Sequence, residues 1–143
     1  MIGTLLFGAQ ITAMGLCFLP LKLTLPSPLT LLFLMLSTAL ALWVIGYNKI
    51  GNWSVLPSPK KDAALITTGP YYFMRHPMYL SVMMGCLSGV LHNQSLTAFF
   101  AWLTLVIILN IKTRYEERLL NMHFKEYKQY QASVKTRFFP TVF

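Results

Sequence analysis

Charge is scarce in this chain of 143 residues: 11% is Asp, Glu, Lys or Arg, and the two acids together number only 4. Soluble domains carry about a quarter of their residues as charges, mostly on the surface that water wets. A soluble globular domain is therefore excluded, because the charged surface it needs is missing and lipid has to take its place. Cysteine is scarce as well. Cys17 and Cys86 both sit inside apolar stretches, where a thiol behaves as a small hydrophobe and says nothing about redox compartment. Residues 1–20 lack the basic start and small-residue cleavage site of a signal peptide, so they are read as a mature helix. A Rossmann-type glycine fingerprint, internal repeats and low-complexity segments are also missing. His76, His92 and His123 have no metal-ligand spacing, and no metal is expected.

What is present is apolar: 55% of the residues are hydrophobic, with a mean hydropathy of +0.54. Four stretches, about 2–19, 29–46, 77–91 and 96–111, contain no Lys, Arg, Asp or Glu. They predict an all-α polytopic membrane protein, a single membrane-embedded domain over 1–143 with about four transmembrane helices. The third stretch is short. Met78 to Leu91 spans roughly 21 Å at ~1.5 Å per residue, against a hydrocarbon core of about 30 Å. Either the bilayer thins there, or the segment Thr67 to His76 enters the boundary as irregular backbone lining a cavity. Ser81, Gly85 and Gly89 recur along this stretch as a small-residue face suited to close helix packing.

The net charge of +8 lies at the ends of these stretches. No basic stripe interleaved with aromatics is present, so nucleic acid is not an expected partner. The turn from Pro20 to Pro28 carries only Lys22, and His92 to Ser95 carries no Lys or Arg. Lys49, Lys60, Lys61 and Arg75 fall in the central loop, and the remaining basic residues follow Ile111. The positive-inside rule then puts both termini in the cytoplasm, here of a bacterial inner (cytoplasmic) membrane. After Ile111, the residues Leu120, Phe124, Tyr127, Gln131 and Val134 fall on one helical stripe among charges, which predicts an interfacial amphipathic helix over about 113–134.

Chemistry concentrates in Gly69-Pro70-Tyr71-Tyr72-Phe73-Met74-Arg75-His76-Pro77-Met78-Tyr79, directly before the third stretch. Proline suits the first position of a helix, so His76 is the expected N-cap and Pro77 the first helical residue. The free amides there, with Arg75 and His76 as added donors, form an anion-binding corner. Tyr71, Tyr72 and Tyr79 offer aromatic faces for an adenine ring or a cation such as a sulfonium. Glu116 and Glu117, after the fourth stretch, offer acceptors for ribose hydroxyls or a cationic group. The same residues also fit a plain basic flank, interfacial tyrosines and helix-surface ion pairs worth about 0.5 kcal/mol.

The ordered pair Arg75-His76-Pro77-x-Tyr79 and Glu116-Glu117 resembles the isoprenylcysteine carboxyl methyltransferase and phospholipid methyltransferase family of integral membrane enzymes. Gly69-Pro70-Tyr71, Leu119-Leu120, Phe124, Tyr127, Tyr130 and Arg137-Phe138-Phe139-Pro140 extend the likeness from near Leu65 to Pro140. The resemblance implies S-adenosylmethionine as cofactor, bound on the cytoplasmic side under a C-terminal lid, with a lipid or small hydrophobic acceptor entering from the bilayer. It implies that Tyr71, Arg75, His76, Pro77 and Tyr79 frame the cofactor and that Glu116 and Glu117 close it. Arg114 and Glu117 are the expected catalytic residues, Arg114 orienting an acidic acceptor group. Ser81 stands where the family commonly has glycine, and Lys125 follows Phe124 where glycine is common. Two other readings remain: a nicotinamide-dependent membrane reductase acting on a sterol-like substrate, and a non-catalytic protein that binds anionic lipid and assembles through its small-residue face.

Overall fold

The computed structural model describes residues 2–48 and 64–138. Lys49, Lys60 and Lys61, which carry part of the charge asymmetry, lie outside the described residues, as do Phe139 and Pro140. The described residues form six helices and no strand: α1 (Ile2–Leu16), α2 (Pro28–Tyr47), α3 (Pro70–Phe73), α4 (Pro77–Asn93), α5 (Leu96–His123) and α6 (Tyr127–Ser133). The all-helical expectation holds.

Two helices, α2 with 20 residues and α5 with 28, are long and apolar enough to cross a membrane. At ~1.5 Å per residue they measure roughly 30 Å and 42 Å. Ser27 caps α2 by accepting the Thr30 amide at 3.2 Å, and Pro28 fills the first position, where an amide would go unpaired. Apolar side chains along α2, among them Leu31, Leu34, Met35 and Leu42, are exposed rather than packed against protein. A face of that kind suits lipid, and apolar helices in a chain so poor in charge indicate a membrane location. The α1 and α4 helices are shorter, at 15 and 17 residues.

α2 lies along α4, α1 lies along α5, and α4 and α5 form a hairpin closed by Gln94 in the left-handed conformation (φ 48°). The small-residue face of α4 is used inside the chain. The Ser37 hydroxyl of α2 donates to the Ser81 carbonyl at 2.8 Å, and a Cβ on Gly85 would stand 2.9 Å from the Ser37 Oγ. A Cβ on Gly89 would stand 2.9 Å from the Cys17 carbonyl oxygen and meet the Phe18 ring. At that same end Asn93 donates to the Cys17 carbonyl at 3.3 Å, which ties the α1–α2 turn to the α4–α5 hairpin. The core between the helices contains Ala13, Leu80, Met83, Cys86, Ala101, Leu105 and Leu109.

The C-terminal part differs from the expected helix over 113–134. α5 runs unbroken from Leu96 to His123, because nothing after Ile111 interrupts its backbone hydrogen bonds. The break comes at Phe124 to Glu126, and only the seven residues of α6 follow. α6 folds back instead of lying free: Tyr127, Tyr130 and Val134 are buried against Leu65, Tyr71, Leu120 and Phe124. Residues 134–138 then form a strap across the start of α4.

Candidate functional site

His76 is the N-cap of α4 and Pro77 its first residue, and the turn Met74 to Pro77 is buried throughout. The strap accounts for that burial. The amides of Arg75 and His76 donate to the carbonyls of Thr136 and Arg137 at 3.0 and 2.9 Å, and the Thr136 hydroxyl donates to the Phe73 carbonyl at 2.6 Å. The Arg75 guanidinium donates to the carbonyls of Val134 and Lys135 and, at 2.8 Å, to Glu117 Oε1 on α5. The donors that Arg75 brings to the expected anion corner are thus engaged by the chain itself. The two amides and the Arg75 side chain already have protein acceptors, so Arg75 holds the helix start and the strap together.

Glu117 is the other half of this knot. His76 Nε2 lies 3.2 Å from its Oε1, and Arg137 Nη2 lies 3.2 Å from its Oε2. Both glutamates stand beyond the apolar run that ends at Ile111. Burial alone would raise the Glu117 carboxyl, but hydrogen bonds from His76 and Arg75 outweigh it and hold the pKa at about 2. An ionised carboxylate only accepts, so the imidazole presents its Nε2 hydrogen to Glu117.

Glu116 meets different surroundings. Tyr79 donates its hydroxyl to Glu116 Oε1, and the His76 ring is stacked on the Tyr79 ring, with centroids 5.7 Å apart and planes 12° from parallel. The second oxygen stands 3.8 Å from His76 Nδ1. Burial pushes this carboxyl up, and His76, the Tyr79 hydroxyl and Lys112 counter the shift only in part. The Tyr71 phenol is pushed up to about 12, by burial first and then by the Glu116 charge. Two adjacent carboxyls on one helix are thus driven in opposite directions.

Six of the expected site residues, Tyr71, Arg75, His76, Tyr79, Glu116 and Glu117, gather at the end of the bundle where α4 begins. Pro77 is fully buried there as framework. Arg114 does not join them. It is exposed, and two residues along a helix place it about 200° around the axis from Glu116. The cation on the inner face is Lys112, one turn before Glu116. Lys112 is 4% exposed, donates to Gln10 Oε1 of α1 at 2.8 Å, and sits 5.2 Å from the Tyr79 ring centroid. Sequence reasoning missed both Lys112 and Gln10. Their signal was a lone amide in an apolar helix and a lysine four residues before a glutamate.

A sequence model of phospholipid methyltransferases matches residues 26–127, a stretch that holds Arg75-His76-Pro77, Tyr79 and both glutamates. The chain belongs to the phospholipid methyltransferase family. Among similar proteins is the cobalt-zinc-cadmium resistance protein CzcN of Cupriavidus metallidurans, 32% identical over 120 residues, which are 80% of this chain and 50% of that protein. The nickel-cobalt-cadmium resistance protein NccN of Alcaligenes xylosoxydans xylosoxydans is 34% identical over 85 residues, 58% of this chain and 39% of that protein. The chain thus matches half or less of the length of these relatives. Membership in this methyltransferase family and the two apolar helices agree on a membrane protein. The strap and α1 lie outside the matched range.

Proposed function

We propose that this protein is an integral membrane methyltransferase, a single domain that moves a methyl group from S-adenosylmethionine to a lipophilic or membrane-accessible acceptor. The observation that carries the reading is that the family match encloses the His76, Tyr79 and Glu116 cluster, whose members still have capacity for a ligand. When bound, the cofactor supplies a methyl group already activated on a sulfonium. The residues present fit such a molecule. His76 and Tyr71 offer ring surface to an adenine, and Glu116 keeps one oxygen for a hydroxyl or amino group. Glu117, with Arg75 and Pro77, positions these groups and does not itself touch the reacting atoms.

In this reading α1, α2, α4 and α5 are four spans, both termini face the cytoplasm, and the cluster opens on that side of a bacterial inner membrane. The strap is the lid. The acceptor is a carboxylate such as isoprenylcysteine, or a thiol or amine. A carboxylate is ionised at neutral pH and needs no base, whereas a thiol or amine gives up its proton, for which the raised Glu116 carboxyl is suited. The names of the similar proteins speak of metal resistance. The family match is what supports methyl transfer as the contribution of this chain.

Calorimetric titration of the detergent-purified protein with S-adenosylmethionine and S-adenosylhomocysteine, with NADPH for comparison, tests the reading. Saturable binding of the sulfur compounds alone supports it. Preference for NADPH replaces it with a reductase, and binding of none of the three by folded protein replaces it with the non-catalytic membrane protein.

A further inference from the structure

Cys17 and Cys86 lie away from the site at the start of α4, toward the α4–α5 hairpin, and both belong to the core between the helices. The two thiols are 0% and 2% exposed, and both are free. The Cys17 thiol donates to the Ala13 carbonyl at 3.2 Å, and Cys86 donates its own hydrogen to the Cys17 sulfur. Two sulfurs from opposite halves of the chain are thus in contact without a bond between them. Glycine brings them together. A Cβ on Gly89, one turn after Cys86, would stand 2.9 Å from the Cys17 carbonyl oxygen, which also accepts the Asn93 amide at 3.3 Å. A disulfide needs Cα atoms roughly 4.4–6.8 Å apart, and a crossing over glycine allows backbones to approach that closely.

A packed thiol is inert until its segment opens. Cys17 follows the last residue of α1, and its amide is shared between the Ala13 and Met14 carbonyls at 3.2 Å each, a terminal turn of the kind that frays first. Cys86 sits inside α4 and has no such freedom. We propose that Cys17 and Cys86 are a dithiol–disulfide pair, Cys17 being the thiol that meets a disulfide oxidant and Cys86 the one that resolves it. The Cys17 thiolate attacks the oxidant's S–S bond, which breaks, releases one thiol and leaves a mixed disulfide on Cys17. The Cys86 thiolate then attacks the Cys17 sulfur and expels the second thiol. Two S–H bonds of the protein are lost, one S–S bond replaces another, and both halves of the oxidant leave as thiols carrying the protons. The bridge closes a loop of about 70 residues and fixes α1 to α4. Gln10, Ala13 and Cys17 form the buried face of α1, so that face is then held at both ends, by Lys112 at one and by Cys86 at the other. In the orientation proposed above, the Cys17 end of α1 faces away from the cytoplasm, where disulfides persist. The pair stands apart from the methyl-transfer site, and its test does not involve the cofactor.

Dithiodipyridine, a lipophilic disulfide, added to the reduced full chain in maltoside micelles tests the pair. Released pyridinethione and the intact mass of the product are followed together. The folded wild type releases two thiones per chain, and its product has lost two hydrogens and retains no pyridyl group. Cys86→Ala releases one thione and keeps a pyridyl group on Cys17, whereas Cys17→Ala reacts about tenfold more slowly or less. The bridged wild type unfolds about 5 °C or more above the reduced protein. Should either variant fail to fold, the mass and unfolding temperature of the wild type decide alone. A folded wild type that keeps its pyridyl groups, does not react, or forms its disulfide between two copies overturns the proposal. Reaction of Cys17→Ala at the wild-type rate overturns the role given to Cys17, and a bridged protein that unfolds no higher than the reduced one overturns the clamp on α1.

Discussion

Arg75 and Lys112 are both buried cations beside the two glutamates of α5, yet their surroundings differ in kind. Arg75 donates to a carboxylate and two carbonyls, its backbone amide is bonded too, and its carboxylate partner is shared with His76 and Arg137. Lys112 has one neutral oxygen, two rings and, one turn further along α5, the charge of Glu116. The first cation is held by several hydrogen bonds from the chain, and the second by one. A buried charge whose partners all come from the chain is scaffold, and one left short of partners is where a ligand has work to do. The same contrast separates Glu117 from Glu116.

The largest test of that contrast removes the shared carboxylate. Glu117→Ala leaves Arg75 buried and unpaired, and the expected loss is about 3–5 kcal/mol, read from denaturant unfolding in micelles. A loss below about 1 kcal/mol would mean that the knot is solvated and that Arg75 is open to ligands after all. Glu116→Gln should do the reverse. Its S-adenosylmethionine affinity falls roughly tenfold, about 1.4 kcal/mol, while the unfolding temperature of the ligand-free protein does not drop. A variant that binds normally but unfolds early would put Glu116 with the scaffold.

Acid separates the two glutamates by sign. Glu117 is depressed from its ordinary 4.5 to about 2, so its stabilising contribution is present above about pH 4.5 and is lost as pH falls through 2. Glu116 is raised, so its contribution is greatest below the ordinary value and declines as pH rises. Unfolding temperature followed from pH 6 to 2 should fall in the wild type, fall more steeply in Glu116→Gln and flatten in Glu117→Gln. The smallest effect belongs to Arg137→Gln. Its side chain is 34% exposed, so removing this ion pair should lower stability by no more than about 1 kcal/mol. A larger drop would make the strap's own anchor, and not Arg75, the main partner of Glu117.

Much of the site could be read in the sequence because local rules decide it. Proline at a helix start makes His76 the cap, and the ordered Arg75-His76-Pro77-x-Tyr79 and Glu116-Glu117 mark two helices that meet. Helical phase should also have excluded Arg114, since residues two apart do not share a face, and pointed to Lys112, which shares one with Glu116. The amphipathic stripe Leu120, Phe124, Tyr127, Val134 was found, but its periodicity cannot tell a face that lies on lipid from one that folds back onto Tyr71. The strap is irregular backbone, and its carbonyl bonds to Arg75 have no side-chain pattern to announce them. Gln10 was hidden for another reason: its partner lies 102 residues away, beyond anything local spacing can report.

That separation bears on how the protein is made. Chains are synthesised from the N-terminus, so the amide of Gln10 enters an apolar helix long before Lys112 exists to donate to it. Until α5 arrives, α1 carries a polar side chain without this partner, and its place in the bundle is open. Among the described residues, α5 therefore fastens α1, so α1 settles into its place beside α5 only after the intervening helices have been made.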